Sequence, residues 1–354
     1  MEKKGQRESN IELLRILAMA GIIILHFNNP DMGGGFSYAA YGSLNSILLY
    51  FLEIIFICGV DVFLMITGYF MLKKQEVSLY KPAGLILQVV IYGMGIYLLR
   101  LILMKESFSL AAFANAAIPD NYFVILYVVL YLLTPYINHL TDSLSEDAYR
   151  RLLILLLLLF SFYTTLINIA QNLSGQLLSG ISSVGIDGDQ NGYNILLFLL
   201  CYLIGGYESR KGREKQKKLL FLLILVWILN FAWIYISLGM GLSSSVLNYD
   251  NPLILLEAYL SFCLFKNLKI KKSRLINEFA KGAFGVYLLH MAFLMFLNVE
   301  GMVEGNPLIM LLYLFLSCLG IYLICYLADR IYHLIYDRTL GKLLDPLKKV
   351  KIKV

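Results

Sequence analysis

About ten apolar stretches, each close to the length of a membrane span and bounded by charge, run through the 354-residue chain. About twenty helical residues cross a hydrocarbon core of roughly 30 Å at 1.5 Å per residue. Inside lipid every backbone N–H and C=O needs an internal partner, which restricts such stretches to helices or a closed barrel. The runs here, such as Leu152 to Phe160 and Leu219 to Leu229, have no barrel-like alternation. The expected fold is therefore an all-α integral membrane protein. Its spans are expected at 11–28, 46–71, 83–104, 120–138, 151–170, 193–208, 218–238, 252–268, 279–297 and 307–328, the fifth and sixth being the least sharply marked. Charged residues make up only 15% of the chain and hydrophobic residues 59%, too little charge to cover a soluble protein of this size. The first stretch is not read as a cleavable signal peptide, because it contains Arg15 and His26 and lacks a small-residue cleavage site.

The basic residues orient the chain. With the N-terminus inside, alternate connections become cytoplasmic, and they hold every lysine and arginine except Arg15, Arg100 and Lys105. That asymmetry is the positive-inside pattern, and it places both termini in the cytoplasm. The net charge of +6 is thus explained by orientation, and nucleic acid is not an expected partner. The expected division is a cytoplasmic segment at 1–10, a transmembrane domain at 11–329 and a basic cytoplasmic tail at 330–354, with no connection long enough for a separate domain. Two outer connections are polar: Asn28 to Gly42, rich in Gly and Asn, and Ser179 to Asn194, with Asp187, Asp189 and Gln190. They read as solvated loops that could also meet a hydroxylated ligand. The five cysteines fall within spans and show no metal-ligand spacing, so they read as small buried apolar groups, and no metal site is expected.

An ionisable group inside a span is costly and so is a functional candidate. Arg15 and His26 are eleven residues apart on the first span, close to three full turns. They share one face and lie about 16 Å apart along the axis. Arg15 falls near the cytoplasmic surface and His26 in the outer half. A guanidinium at the inner mouth can hold phosphate through paired hydrogen bonds, and an imidazole deeper in can act as a general base. Each residue alone has a plainer reading: a snorkelling arginine, and a histidine bonded between helices. On the second span Glu53 falls near the depth of His26, where a carboxylate could orient the imidazole, or be a buried structural group. Asp61 falls near mid-membrane and is a further cavity candidate.

Five ordered motifs then make the chain resemble the membrane acyltransferase family 3, the integral-membrane O-acyltransferases of bacterial surface glycans. They are Arg15-x10-His26; Gly59-Val-Asp-Val-Phe63 running through Gly68-Tyr69; Tyr131-Leu-Leu-Thr-Pro135; Tyr202-Leu-Ile-Gly-Gly-Tyr207; and Gly285-Val-Tyr-Leu-Leu-His290. Each is short, but all five occur in register over nearly the whole chain, and the nearest members look like exopolysaccharide acyltransferases of Gram-positive type. Departures are mild: Leu64 where a second Phe is common, Thr67 for Ser, and Tyr122 where Trp is frequent. They bear on the details of a donor tunnel.

The resemblance implies donor binding at Arg15 and catalysis at His26, in agreement with the spacing, and adds His290 as a matching position. It implies acetyl-CoA, or another acyl-CoA, as a donor substrate with no permanently bound cofactor. The implied acceptor is a hydroxyl of a polysaccharide outside a bacterial plasma membrane. Lys73 and Lys74 are expected to join Arg15 on the nucleotide phosphates, Glu53 to back His26, and Tyr69 and Tyr122 to border the cavity. His139 and His333 read as interfacial. A second copy of the chain or other biosynthetic proteins are candidate partners. The competing reading is a transporter or flippase for a glycan or lipid-linked sugar, although no repeat relates the two halves.

Overall fold

A computed structural model describes residues 7–176, 178, 192–212, 215–242 and 245–354. The polar connection at 179–194, with Asp187, Asp189 and Gln190, therefore lies almost entirely outside the described residues, as do Lys3, Lys4 and Arg213.

All ten expected spans are helical, but they are not equal. Seven helices among the described residues are long and apolar enough to cross a membrane: Ser9–Asn28, Leu44–Met71, Tyr80–Met104, Tyr122–Asp142, Glu146–Ser174, Gln216–Gly239 and Pro307–Tyr336. The expected fifth span, one of the least sharply marked, is thus a long helix, carried through a π-helical turn at Leu158–Phe162. The other three expected spans fall short of that length. The sixth and eighth are helices of 14 and 16 residues, Ile195–Glu208 and Pro252–Asn267. The ninth is a succession of pieces, including Ala283–Leu289 and Met291–Leu294. Its register changes at His290, whose carbonyl accepts from the N–H of Phe293, three residues on, at 3.0 Å.

In chain order the elements used below are α1 (Ser9–Asn28), α2 (Leu44–Phe56), α3 (Gly59–Met71), β1 (Glu76–Ser78), α4 (Tyr80–Met104) and α5 (Tyr122–Asp142). They continue with α6 (Ile195–Glu208), α7 (Gln216–Gly239), α8 (Pro252–Asn267), α9 (Ala283–Leu289), α10 (Pro307–Tyr336) and β2 (Lys351–Lys353). Helices α2 and α3 form one expected span interrupted by a turn at Ile57 and Cys58. Side-chain oxygens cap many helix starts: Asn121, Asn194, Asn251 and Asn306 each accept from the first turn of the helix that follows. Pro252 and Pro307 occupy first helical positions, where a missing N–H costs nothing.

Helix α1 is largely enclosed, with Ile11, Met19, Ile23 and Phe27 each no more than 2% exposed. It forms the axis of the bundle, in contact with α2, α3, α8, α9 and α10. The outer helices turn large apolar side chains outward: Leu308, Leu312, Leu316, Leu319, Leu327 and Ile331 of α10 are all exposed. In water such a surface would be an aggregation hazard; against acyl chains it is neutral.

Three of the sequence motifs are packing devices. A Cβ at Gly68 of α3 would lie 1.9 Å from the Tyr202 carbonyl, and one at Gly205 of α6 would lie 1.9 Å from the Met65 carbonyl. The two backbones touch, as small residues permit where lipid gives no hydrophobic push between helices. Gly285 of α9 likewise rests on the Asp329 side chain of α10: a Cβ there would lie 2.1 Å from Oδ1.

The basic tail expected from residue 330 begins inside α10, which runs on to Tyr336. The chain then folds back, and β2 pairs antiparallel with β1, Glu76 opposite Lys353 and Ser78 opposite Lys351.

A cationic cavity that ends beneath two histidines

A cavity of about 600 Å³ opens among α1, α3, α4, α5 and α9. Its lining is polarised. Arg7, Arg15, Lys74, Lys81 and Lys281 supply basic groups, against the single carboxylate of Glu12. Ile22, Val60, Phe63, Phe123 and Tyr287 supply an apolar part. The helical spacing of α1 orders these regions along the axis, Glu12 and Arg15 first and Ile22 two turns further on.

Glu12 gathers the two arginines. Its Oε2 lies 3.2 Å from Arg7 Nη1 and 3.7 Å from Arg15 Nε. Arg15 lines the cavity, and its buried Nε has no hydrogen-bond partner among the described residues. Lys81 Nζ donates to the Tyr127 hydroxyl at 3.1 Å and sits 4.9 Å from the centre of the Tyr131 ring. The Lys74 backbone is fixed instead of its side chain: Asn138 Nδ2 donates to the carbonyls of Met71 and Lys74 at 2.8 and 2.7 Å. Tyr202 in turn donates to Asn138 Oδ1 at 2.7 Å, which ties this loop to α6.

His26 and His290 lie just past the inner end. Neither lines the cavity, but Ile22, one turn before His26, and Tyr287, three residues before His290, both do. His26 Nδ1 and His290 Nε2 are 2.5 Å apart, and the two rings stack with centroids 4.8 Å apart and planes 13° from parallel. His290 Nδ1 lies 3.0 Å from the Val286 carbonyl, which can only accept. The hydrogen-bond network therefore assigns the tautomers when both rings are neutral. His290 carries its proton on Nδ1 and accepts at Nε2; His26 donates from Nδ1 and keeps a bare lone pair on Nε2.

The remaining sequence candidates separate. Glu53, expected to orient His26, accepts from Asn28 Nδ2 at 2.8 Å, while the hydrogen-bond partner on His26 Nδ1 is His290. Glu53 thus fastens α2 to the end of α1 just beyond His26. Asp61 is fully buried beside Cys201 and does not line the cavity. Lys74 lines it and the exposed Lys73 does not. Tyr69 packs edge-on against Phe70 and Phe262, and Tyr122 gives way to its neighbour Phe123 as the lining residue. Sequence reasoning missed Lys81, Lys281 and Tyr127. In the sequence both lysines read only as orientation charges, yet each stands at the start of a helical segment whose later residues carry a motif or a lining group.

Bundle and cavity define a multi-pass helical membrane protein with an anion-attracting cavity that runs towards a histidine pair. The chain belongs to acyltransferase family 3: the family's acyltransferase-domain model matches residues 8–330. It is therefore an acyltransferase of that family. No curated protein and no solved structure matches the chain.

Proposed function

We propose that the protein carries an acyl group, most simply acetyl, from cytoplasmic acyl-CoA to a hydroxyl of a polysaccharide outside a bacterial plasma membrane. The observation that carries this reading is the polarised cavity, basic at the Arg15 end and apolar beneath His26 and His290, in a chain of this family. The positive-inside distribution supports the Arg15 end as the cytoplasmic one, with ten crossings and both termini inside. Three of those crossings would then be made by short or broken helices shielded by their neighbours.

In this reading Arg15, Lys74, Lys81 and Lys281 hold the donor's phosphates, and the pantetheine arm follows the face of α1 towards Ile22. The thioester carbonyl comes to rest under the histidines. His26 Nε2 takes the proton of the acceptor hydroxyl as its oxygen attacks the carbonyl carbon. His290 accepts the hydrogen bond from His26 Nδ1–H and favours the imidazolium that forms. The tetrahedral intermediate then collapses, the C–S bond breaks, and the same proton passes from His26 to the departing sulfur. The balance is closed: a thioester and an alcohol become an ester and a thiol.

The test is acetyl transfer from radiolabelled acetyl-CoA by the purified chain in lipid nanodiscs, with a panel of surface glycans as acceptors. His26→Ala is expected to lose about 10²–10⁴-fold in turnover, the range for general-base catalysis. Unchanged turnover in that variant overturns the mechanism, and failure to bind acetyl-CoA overturns the donor.

A further inference from the structure

Lys74 and Lys81, both on the cavity wall, bracket β1, the strand that pairs with the C-terminal β2. The two residues are held from different sides. The Lys74 backbone is pinned by Asn138, and the Lys81 ammonium is bonded to Tyr127. The segment between them is held by α5, where Gln75 Nε2 donates to Asp142 at 2.6 Å, and by the C-terminus. Leu79 N–H donates to the Val350 carbonyl at 3.1 Å, Lys351 pairs with Glu76, and Lys348 Nζ lies 4.6 Å from the centre of the Tyr80 ring. A two-stranded ribbon is marginal by itself in water. Here Val77 is buried at 4% exposure and Ile352 packs on the same core, so the ribbon is fastened to the bundle.

We propose that β2 is a working part of the donor site: by pairing with β1 it braces the segment that joins Lys74 to Lys81, so that both basic groups meet the donor's phosphates already ordered. This rests on the reading of the cavity as an acyl-CoA site. The physical reason is entropic. A free connection between two binding lysines would have to be ordered on binding, at a cost for each residue fixed, whereas a paired strand is ordered in advance. The family match ends at residue 330, so β2 lies outside the matched region. The strand touches no reacting atom; its residues are positioning residues.

The test uses the full chain in nanodiscs and reads acetyl-CoA binding by titration calorimetry, together with kcat and KM for acetyl-CoA. Ile352→Asn, which changes no charge, is expected to raise Kd and KM about tenfold, the equivalent of one charge-assisted hydrogen bond, with kcat at saturating donor unchanged. Ile352→Val is expected to behave like the parent. A second arm avoids any loss of packing: Lys351→Glu places two carboxylates together and weakens binding, and adding Glu76→Lys restores it. If Ile352→Asn lowers the yield of folded chain, this arm decides. Loss in the single variant with recovery in the double upholds the proposal, and equal binding in all three overturns it. An unchanged Kd for Ile352→Asn, or a fall in kcat at constant Kd, also overturns it. A parent chain that binds no acetyl-CoA overturns the donor reading itself, which is a different result from a parent that binds alongside an unchanged variant.

Discussion

His26 of α1 and His290, next after α9, are joined by a single hydrogen bond of 2.5 Å across 264 residues of sequence. The Val286 carbonyl beneath His290 fixes the direction of that bond and so leaves His26 Nε2 as the basic atom. Removing the second ring takes away the orientation of the first while leaving the base itself in place.

His290→Leu, which cannot accept a hydrogen bond, is therefore expected to lower kcat by about 10²-fold, the low end of what loss of a general base costs, with KM for acetyl-CoA unchanged. Steady-state kinetics at saturating donor check this. A His290→Leu enzyme with normal kcat would make the pair a packing feature.

Arg15 gives the complementary result. Its guanidinium is paired with Glu12 at 3.7 Å, beyond hydrogen-bond distance, so it can turn to a phosphate without breaking a strong bond. Arg15→Ala is expected to raise Kd for acetyl-CoA about 10- to 100-fold, the usual worth of a charge-assisted contact, and Arg15→Lys less. Lys73→Ala is expected to leave Kd unchanged, since Lys73 does not line the cavity. Raising the salt concentration should weaken binding by the parent chain more than by Arg15→Ala, because one screened cation is already missing.

Glu53 separates a structural carboxylate from a catalytic one. Its partner is the Asn28 amide, which a glutamine oxygen can also serve. Glu53→Gln is expected to keep turnover within about threefold, and Glu53→Ala to lower the unfolding temperature by leaving Asn28 short of a buried partner. Both are measured on the same preparations. A large loss of kcat in a stable Glu53→Gln protein would return the carboxylate to the chemistry.

The glycine contact between α3 and α6 predicts a stability effect remote from the reaction. An added methyl at Gly68 or Gly205 meets backbone at 1.9 Å, with no flexible side chain to move aside. Gly205→Ala and Gly68→Ala are each expected to cost about 1–3 kcal/mol or more, the range for overpacking, read as a lower melting temperature in detergent.

Much of this protein follows from hydropathy and spacing, because both are local. Apolar runs of span length must be helical in lipid, and a separation of eleven residues puts Arg15 and His26 on one face whatever surrounds them. The same reasoning placed ten spans where the chain is helical, of which seven are helices long and apolar enough to cross a membrane, since a segment enclosed by neighbours can be short or broken where a lipid-facing one cannot. It placed Glu53 at the depth of His26, yet depth alone does not say which way a side chain turns. That depended on how α2 is rotated against α1, and the rotation delivers the carboxylate to Asn28.

The sequence by itself determined a helical membrane protein, the order of Arg15 and His26 along one face, and the motifs of its family. Only the tertiary structure decided that His290 is the partner of His26, that Gly68 and Gly205 join two backbones, and that Lys351 returns across 275 residues to Glu76, two residues from the cavity-lining Lys74. The difference is physical. Periodicity fixes relations within one helix, whereas pairing between helices depends on crossing angle, rotation and close approach, which arise from the packing of the whole bundle.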